Sequence, residues 1–239
     1  MMLETIKISK SDYIVGCDEV GVGEYFTNLT VCCALFKQED LDTNLLNSIV
    51  DSKLLNEKKI EEIYRQLEEK IIFEVISLDM DKYNDLINMK FNSHEIKTIL
   101  YLKLLKKLKS KYFKDIDVKK IYIDGFVTSE KFFSYLEKIY QQLKVRKWDL
   151  KKFPILLEKK ADEKIKQAGA ASIIAKHKLS LKFHKREKKW KTKFPAGSNQ
   201  LEKIINFCIE KVKIYGDDFL YQNVKQHFSI TKKIQEKLK

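Results

Sequence analysis

Two adjacent carboxylates, Asp18 and Glu19, lie in the stretch Gly-Cys-Asp-Glu-Val-Gly-Val-Gly-Glu-Tyr-Phe over 16–26, between an apolar run and a turn spaced by Gly21 and Gly23. Paired carboxylates where a strand runs out are hard oxygen donors of the kind a divalent cation takes. Successive side chains of a strand face opposite ways, so the two can serve one ion only if the strand ends at them. That reading places the end of the first strand at the pair. The two glycines let backbone come close to a ligand. A second acid, Asp124, follows Ile121-Tyr122-Ile123 as Asp18 follows Ile14-Val15-Gly16-Cys17. Ligands of open α/β sheets collect beyond strand ends, so the two acids can meet. A third candidate is Asp162, ten residues before Ser172, which lies in the small-residue stretch Ala168-Gly169-Ala170-Ala171-Ser172-Ile173-Ile174-Ala175-Lys176. A helix face of this kind lets another backbone approach and sets the helix near the acids.

The elements that must hold these residues read as alternating strands and helices. Strands are expected over 12–17, 30–36, 71–78, 120–123 and 152–157 from their short β-branched and aromatic runs. Helices are expected over 56–67, capped by Asn56, and over 93–108, capped by Ser93 and apolar around much of its circumference. Further helices fall over 129–143, 167–190, 200–215 and 229–238. The alternation implies an α/β fold, a mixed sheet with helices packed against it and a helical C-terminal part over roughly 200–239. No repeat or low-complexity linker interrupts the chain, which reads as one domain over 1–239.

Composition narrows the class of partner. A 44% apolar fraction with 14 Phe and 11 Tyr supports a sizeable core, and no apolar run reaches the roughly 18 residues a membrane helix needs. The N-terminal residues carry no export pattern, and Cys17, Cys32, Cys33 and Cys208 lack Cys-x-x-Cys spacing, so reduced buried thiols and a cytoplasmic location are expected. A formal charge of +13 makes a polyanion the natural partner, because Lys and Arg that neutralise phosphates release counterions. The basic, apolar-interleaved run over 177–186 could follow a duplex backbone. The four histidines show no ligand spacing with the acids and are given no catalytic role.

The ordered combination of Gly-Cys-Asp-Glu-Val-Gly-Val-Gly-Glu-Tyr-Phe, Asp51-Ser52-Lys53, strand-end Asp124 and Lys160-Ala161-Asp162-Glu163-Lys164 leading to Ala170–Lys176 resembles the type 2 ribonucleases H. Within them it is most similar to ribonuclease HIII. Val22 followed by Glu24-Tyr25-Phe26 lies closer to the Gly-Thr-Gly-Asp-Tyr-Phe of that subfamily than to the arginine-bearing turn of ribonuclease HII. Phe194-Pro195-Ala196-Gly197-Ser198 and Tyr83-Asn84 also match it.

The resemblance implies a ribonuclease H-like fold and a metal-dependent endonuclease that hydrolyses the RNA strand of RNA/DNA hybrids, leaving 5′-phosphate and 3′-hydroxyl ends. Asp18, Glu19, Asp124 and Asp162 match the family's metal-binding and catalytic quartet, with Glu163 the substitute if the register slips. Two Mg²⁺ or Mn²⁺ ions are implied, suited to in-line displacement at phosphate. Without them the gathered carboxylates repel, so some are expected to stay protonated or the site to stay loose. Gly21, Val22 and Gly23 are placed beside the scissile ribonucleotide, where a 2′-hydroxyl marks RNA. Tyr25 would stack or hydrogen-bond nearby, and Ser52, Lys53, Ser172 and Lys176 would hold phosphates.

The chain departs from the pattern at three places. Ribonuclease HIII typically carries an N-terminal platform domain, whereas here the catalytic strand follows within a few residues, which implies weaker hybrid affinity. Thr27-Asn28-Leu29 stands where Gly-Pro usually follows the turn, and Leu54 where a basic residue is frequent. Alternatives are ribonuclease HII-like cutting at single ribonucleotides embedded in DNA, and a non-catalytic basic nucleic-acid-binding module. A monomer without protein partners is expected.

Overall fold

The computed structural model describes residues 8–148, 153–195 and 200–238. Five strands, β1 (Tyr13–Val20), β2 (Thr30–Phe36), β3 (Ile72–Ser77), β4 (Val118–Asp124) and β5 (Ile155–Glu158), form one sheet in the order β3-β2-β1-β4-β5. β1 and β2 pair antiparallel, as do β2 and β3, while β1, β4 and β5 run parallel. The C-terminal ends of β1, β4 and β5 therefore share one edge. The expected α/β architecture is present, with each strand within a few residues of its expected span.

The helices are α1 (Thr43–Ser48), α2 (Glu57–Lys70), α3 (Met80–Asn88), α4 (Ser93–Tyr112), α5 (Ser129–Gln142), α6 (Ala161–Lys164), α7 (Lys166–Lys189), α8 (Leu201–Tyr215), α9 (Asp218–Asn223) and α10 (Ser229–Leu238). Sequence periodicity shows the long ones and misses α1, α3, α6 and α9, which have nine residues or fewer and too few turns to display a period. Alternation along the strands separates two cores. Val15, Cys17, Val31, Cys33, Ile121 and Ile123 face α4 and α5. Cys32, Ala34 and Phe36 face α1, α2 and α7. α2 presents Ile60, Ile63, Tyr64 and Leu67 to the second core, each contributing roughly 1.5–3 kcal/mol of apolar burial. A third core joins Tyr25 and Phe26 to Phe194, Phe219 and α8 and α10, the helical C-terminal part.

Three local expectations are refined. Asn56 caps α2 as expected, but α4 is capped by Asn92, whose side chain and Glu95 form a capping box, rather than by Ser93. β1 does not stop at Asp18-Glu19: Asp18 pairs with Cys32, Glu19 with Val31 and Val20 with Thr30. The expectation of four reduced thiols is corrected at one pair, because register sets Cys17 opposite Cys33 with Cα atoms 4.1 Å apart and joins them as a disulfide. Cys32 and Cys208 are free and buried. The expected motif over 194–198 and the expected strand over 152–157 lie partly outside the described residues. Among the described residues no helix is long and apolar enough to cross a membrane.

α7 fixes the geometry of the candidate site. A Cβ at Gly16 of β1 would stand 2.1 Å from the Ala168 nitrogen and 2.3 Å from the Gln167 carbonyl carbon, so helix backbone lies directly on strand backbone. Only glycine in the strand and small residues along the helix allow this approach. Ala170, Ala171 and Ala175 are fully buried along the same contact.

Candidate active site

Cys17 of β1 pairs in parallel with Ile123 of β4, so the next residues, Asp18 and Asp124, sit side by side on neighbouring strands and on one face, about 5 Å apart at strand spacing. That face carries α6 and α7. The Asp124 carboxylate accepts the Ala161 N–H at 2.8 Å, which docks α6 on the strand end and brings Asp162 beside it. Three of the four sequence-identified acids thus converge at the shared C-terminal edge.

Their mutual presence is visible in their proton affinity. Burial, then Glu19 and Asp124, hold the Asp18 carboxyl well above the usual carboxylate range, against a hydrogen bond from Ser172 that favours the anion. Burial raises Asp124 too, with Glu19 adding to it. Burial and then Asp124 raise Asp162. Lys53, from the Asp-Ser-Lys segment, opposes the rise at both Asp124 and Asp162 and therefore lies within electrostatic reach of both.

Glu19 departs from the other three. Because β1 continues through it, its side chain leaves on the α4 face, where Lys97 Nζ donates to it at 2.7 Å and the Tyr101 hydroxyl donates to its other oxygen. This ion pair is almost closed to solvent, with side-chain exposures of 4% for Lys97 and 9% for Glu19. Lys97 also stands 3.9 Å over the Phe126 ring, which stacks on Tyr101 just past Asp124. The expectation that the strand ends at the pair is corrected, yet Glu19 remains at the same sheet edge and still acts electrostatically on Asp18 and Asp124. Among the described residues no three His, Cys, Asp or Glu side chains close round one point tightly enough to hold an ion as placed. Glu19 is instead paired with its own cation, Lys97. The donor set nonetheless fits a hard divalent cation, since carboxylate oxygens held in burial above their usual proton affinity gain most from a positive charge among them.

The remaining expected residues divide. Gly21 turns the chain with a φ of 77°, and a Cβ there would meet the Asn28 oxygen at 2.3 Å, so glycine is required. Val22 packs on the first core and Gly23 faces open space. Ser52 and Ser172, expected to hold phosphates, are buried and hydrogen-bonded to each other at 2.8 Å. Ser172 favours the Asp18 anion, and its bond to Ser52 links the Asp-Ser-Lys segment to the central acid. Tyr25, expected near the substrate, is buried in the third core and its hydroxyl meets Thr231 Oγ1 at 2.9 Å. Lys176 lines a 280 Å³ cavity with Glu24 and Thr27 beside the glycine turn. In the basic run, Lys182 donates to the Ser77 carbonyl, and Arg186 to Asn28 Oδ1 at 3.2 Å and to the Phe26 carbonyl, so those cations serve the fold rather than a free surface. Thr27 Oγ1 donates to the Gly21 carbonyl at 3.3 Å, so the departure from Gly-Pro supplies its own turn-closing bonds.

Lys97 and Tyr101 were not identified from sequence. The available signal was two polar groups at i and i+4 inside a stripe otherwise filled by Ile and Leu, which places both on one buried face.

Comparison with known proteins gives the chain's family. The family model described as Ribonuclease HII matches residues 15–231, and the chain belongs to that family. Its relatives include two proteins named ribonuclease HIII. One, from Ureaplasma parvum, is 31% identical over 218 residues, covering 90% of this chain and 65% of that protein. The other, from Streptococcus thermophilus, is 30% identical over 228 residues, covering 95% and 73%. The chain therefore spans about two thirds to three quarters of their length. The crystal structure of Bst-RNase HIII in complex with Mn²⁺ superposes with a TM-score of 0.80 at 25% identity, over 96% of this chain and 71% of that one. Ribonuclease H2 from Pyrococcus horikoshii shares the fold, with a TM-score of 0.71 at 24% identity over 95% and 98%.

Proposed function

We propose that this chain is a divalent-metal-dependent endoribonuclease that hydrolyses the RNA strand of RNA/DNA hybrids, giving 5′-phosphate and 3′-hydroxyl ends. The observation that carries the reading is the convergence of Asp18, Asp124 and Asp162 at one sheet edge, with Glu19 over its rim, in a chain of the ribonuclease HII family. Asp18, Glu19, Asp124 and Asp162 are the residues that would hold Mg²⁺ or Mn²⁺. Bound divalent ions supply activation of the attacking water and charge stabilisation of the departing 3′-oxygen.

The chain's own residues do the rest. Ser172 orients Asp18, and Lys97 and Tyr101 fix Glu19 at the rim. Lys53 offsets the negative charge of Asp124 and Asp162 and offers a cation to the scissile phosphate. The glycine turn over 21–23 offers main-chain groups to the ribonucleotide, and Lys176 reaches the strand from α7. One catalytic domain over 1–239 belongs to the same proposal, supported by a third core built on Tyr25 and Phe26 just beyond β1.

Two substrates test the reading: a long RNA/DNA hybrid and a DNA duplex with one embedded ribonucleotide, each incubated in Mg²⁺, in Mn²⁺ and in chelator. Cleavage of the hybrid, lost in chelator, is expected; cleavage of the single-ribonucleotide duplex alone would move the activity to ribonuclease HII type. Asp124→Asn should lower turnover at least about a thousandfold, or about 4 kcal/mol of barrier, while hybrid binding stays within about threefold. Unchanged turnover would refute the role of Asp124, and no cleavage with any divalent ion would leave a binding module.

A further inference from the structure

Lys225 follows α9 and is wholly buried, with Glu24 the acid that acts on it electrostatically. Its Nζ donates to three main-chain carbonyls of the glycine turn: that of Gly21, that of Val22 at 3.1 Å and that of Glu24 at 2.8 Å. Its own N–H donates to the Tyr25 carbonyl at 3.0 Å. An ammonium has three donors, and three carbonyls take them all.

The segment carrying Lys225 is itself fixed. From α3, Asn84 Nδ2 donates to the Tyr221 and Val224 carbonyls at 2.9 Å each, and Asn84 Oδ1 accepts the Gln226 N–H at 3.0 Å. The Tyr83 ring lies 5.7 Å from the ammonium. Burying a lysine this deeply is costly, and its ammonium is pushed down to about 7 by burial. The three carbonyls offset that cost.

The geometry says what the clamp does to the turn. The peptides here are trans, so the C=O of one residue and the N–H of the next point in opposite directions. Holding the Gly21 and Val22 carbonyls on Lys225 turns the N–H groups of Val22 and Gly23 away from it. A Cβ on Gly23 would meet nothing within 4 Å, so the turn is uncovered at that residue. Outward amides in succession form a concavity for an acceptor oxygen, as a ribonucleotide offers.

We infer that Lys225 is the positioning residue of the glycine turn, locking the carbonyls inward so that the Val22 and Gly23 amides meet the ribonucleotide of the bound RNA strand. The inference rests on the proposed hybrid cleavage. It assigns Lys225 to recognition of RNA and leaves non-specific phosphate attraction to the exposed basic surface.

Lys225→Met keeps the aliphatic stem without donors, and Lys225→Gln keeps part of the donor set. Steady-state cleavage of a hybrid is measured for both, together with equilibrium binding of the hybrid and of an all-DNA duplex of the same sequence, each in an Asp124→Asn background. The expected result is a rise in hybrid KM of about tenfold with kcat within about twofold, and an equal loss of hybrid binding while the DNA duplex changes less than about twofold. The glutamine variant should fall between methionine and wild type. An unchanged KM in a folded variant, equal weakening toward both duplexes, or failure of both variants to fold would overturn the inference. A wild-type chain that cuts no hybrid would overturn the proposed function instead, and the binding comparison would still decide the role of Lys225.

Discussion

At the scale of single residues, Asp18 concentrates the energetics of the site. Its folded-state proton affinity is raised by burial and by Glu19 and Asp124, so the favourable contribution of its neutral form is present below about pH 4 and is lost as pH rises through the raised folded value. Glu74 and Asp79 act in the opposite sense: burial raises both, their lysine partners outweigh it and lower them, and their contribution is lost as pH falls. The difference between wild type and Asp18→Asn isolates the one carboxyl. Without divalent ions, Asp18→Asn should melt about 3 °C or more above wild type at pH 7.5, roughly 1 kcal/mol at this chain length, and the gap should narrow toward pH 5. A gap that widens as pH falls would contradict the assigned direction. Asp18, Glu19, Asp124 and the glycine turn stood out in the sequence by residue type at strand ends and a turn, whereas the Asp-Ser-Lys segment and the full quartet were singled out by resemblance to the type 2 ribonucleases H. Lys97, Tyr101 and Lys225 were not, because a buried cation is recognisable only from what it touches, and Lys225 touches a turn 204 residues earlier. Ser52, Ser172 and Tyr25 were expected to face substrate, whereas packing turns the two serines to each other and Tyr25 to Thr231.

At the scale of elements, the contact of α7 with β1 decides where the acids stand. Replacing Gly16 with alanine sets a methyl group 2.1 Å from the Ala168 nitrogen and 2.3 Å from the Gln167 carbonyl carbon, main-chain atoms that cannot rotate aside. Gly16→Ala should cost more than about 3 kcal/mol in urea unfolding, at the upper end of overpacking costs, and should lower divalent-ion affinity by moving α7 from Asp18. Unchanged stability would show that the helix is free to slide. The strands and long helices were legible because period 2 and period 3.6 are written in β-branched and Leu/Ile-rich runs. Register was not. The continuation of β1 through Val20, and with it the departure of Glu19 onto the α4 face, depends on hydrogen bonds to β2 that no local pattern encodes. The Cys17–Cys33 disulfide follows from the same register.

At the scale of the whole molecule, topology converts distant positions into one site. Parallel β1 and β4 place Asp18 beside Asp124, and α6 docks Asp162 through the Ala161–Asp124 hydrogen bond. The C-terminal segment returns across the molecule to hold the glycine turn through Lys225. The net charge of +13 gives the molecule as a whole a field favourable to nucleic acid. Convergence of the acids on shared cations is the claim on which the functional account stands, and calorimetric titration of Mn²⁺ into the metal-free protein tests it most directly. The account predicts saturable binding that weakens at least about tenfold in Asp18→Asn, Asp124→Asn and Asp162→Asn alike. Binding that is absent in wild type, or that survives all three substitutions unchanged, would contradict it.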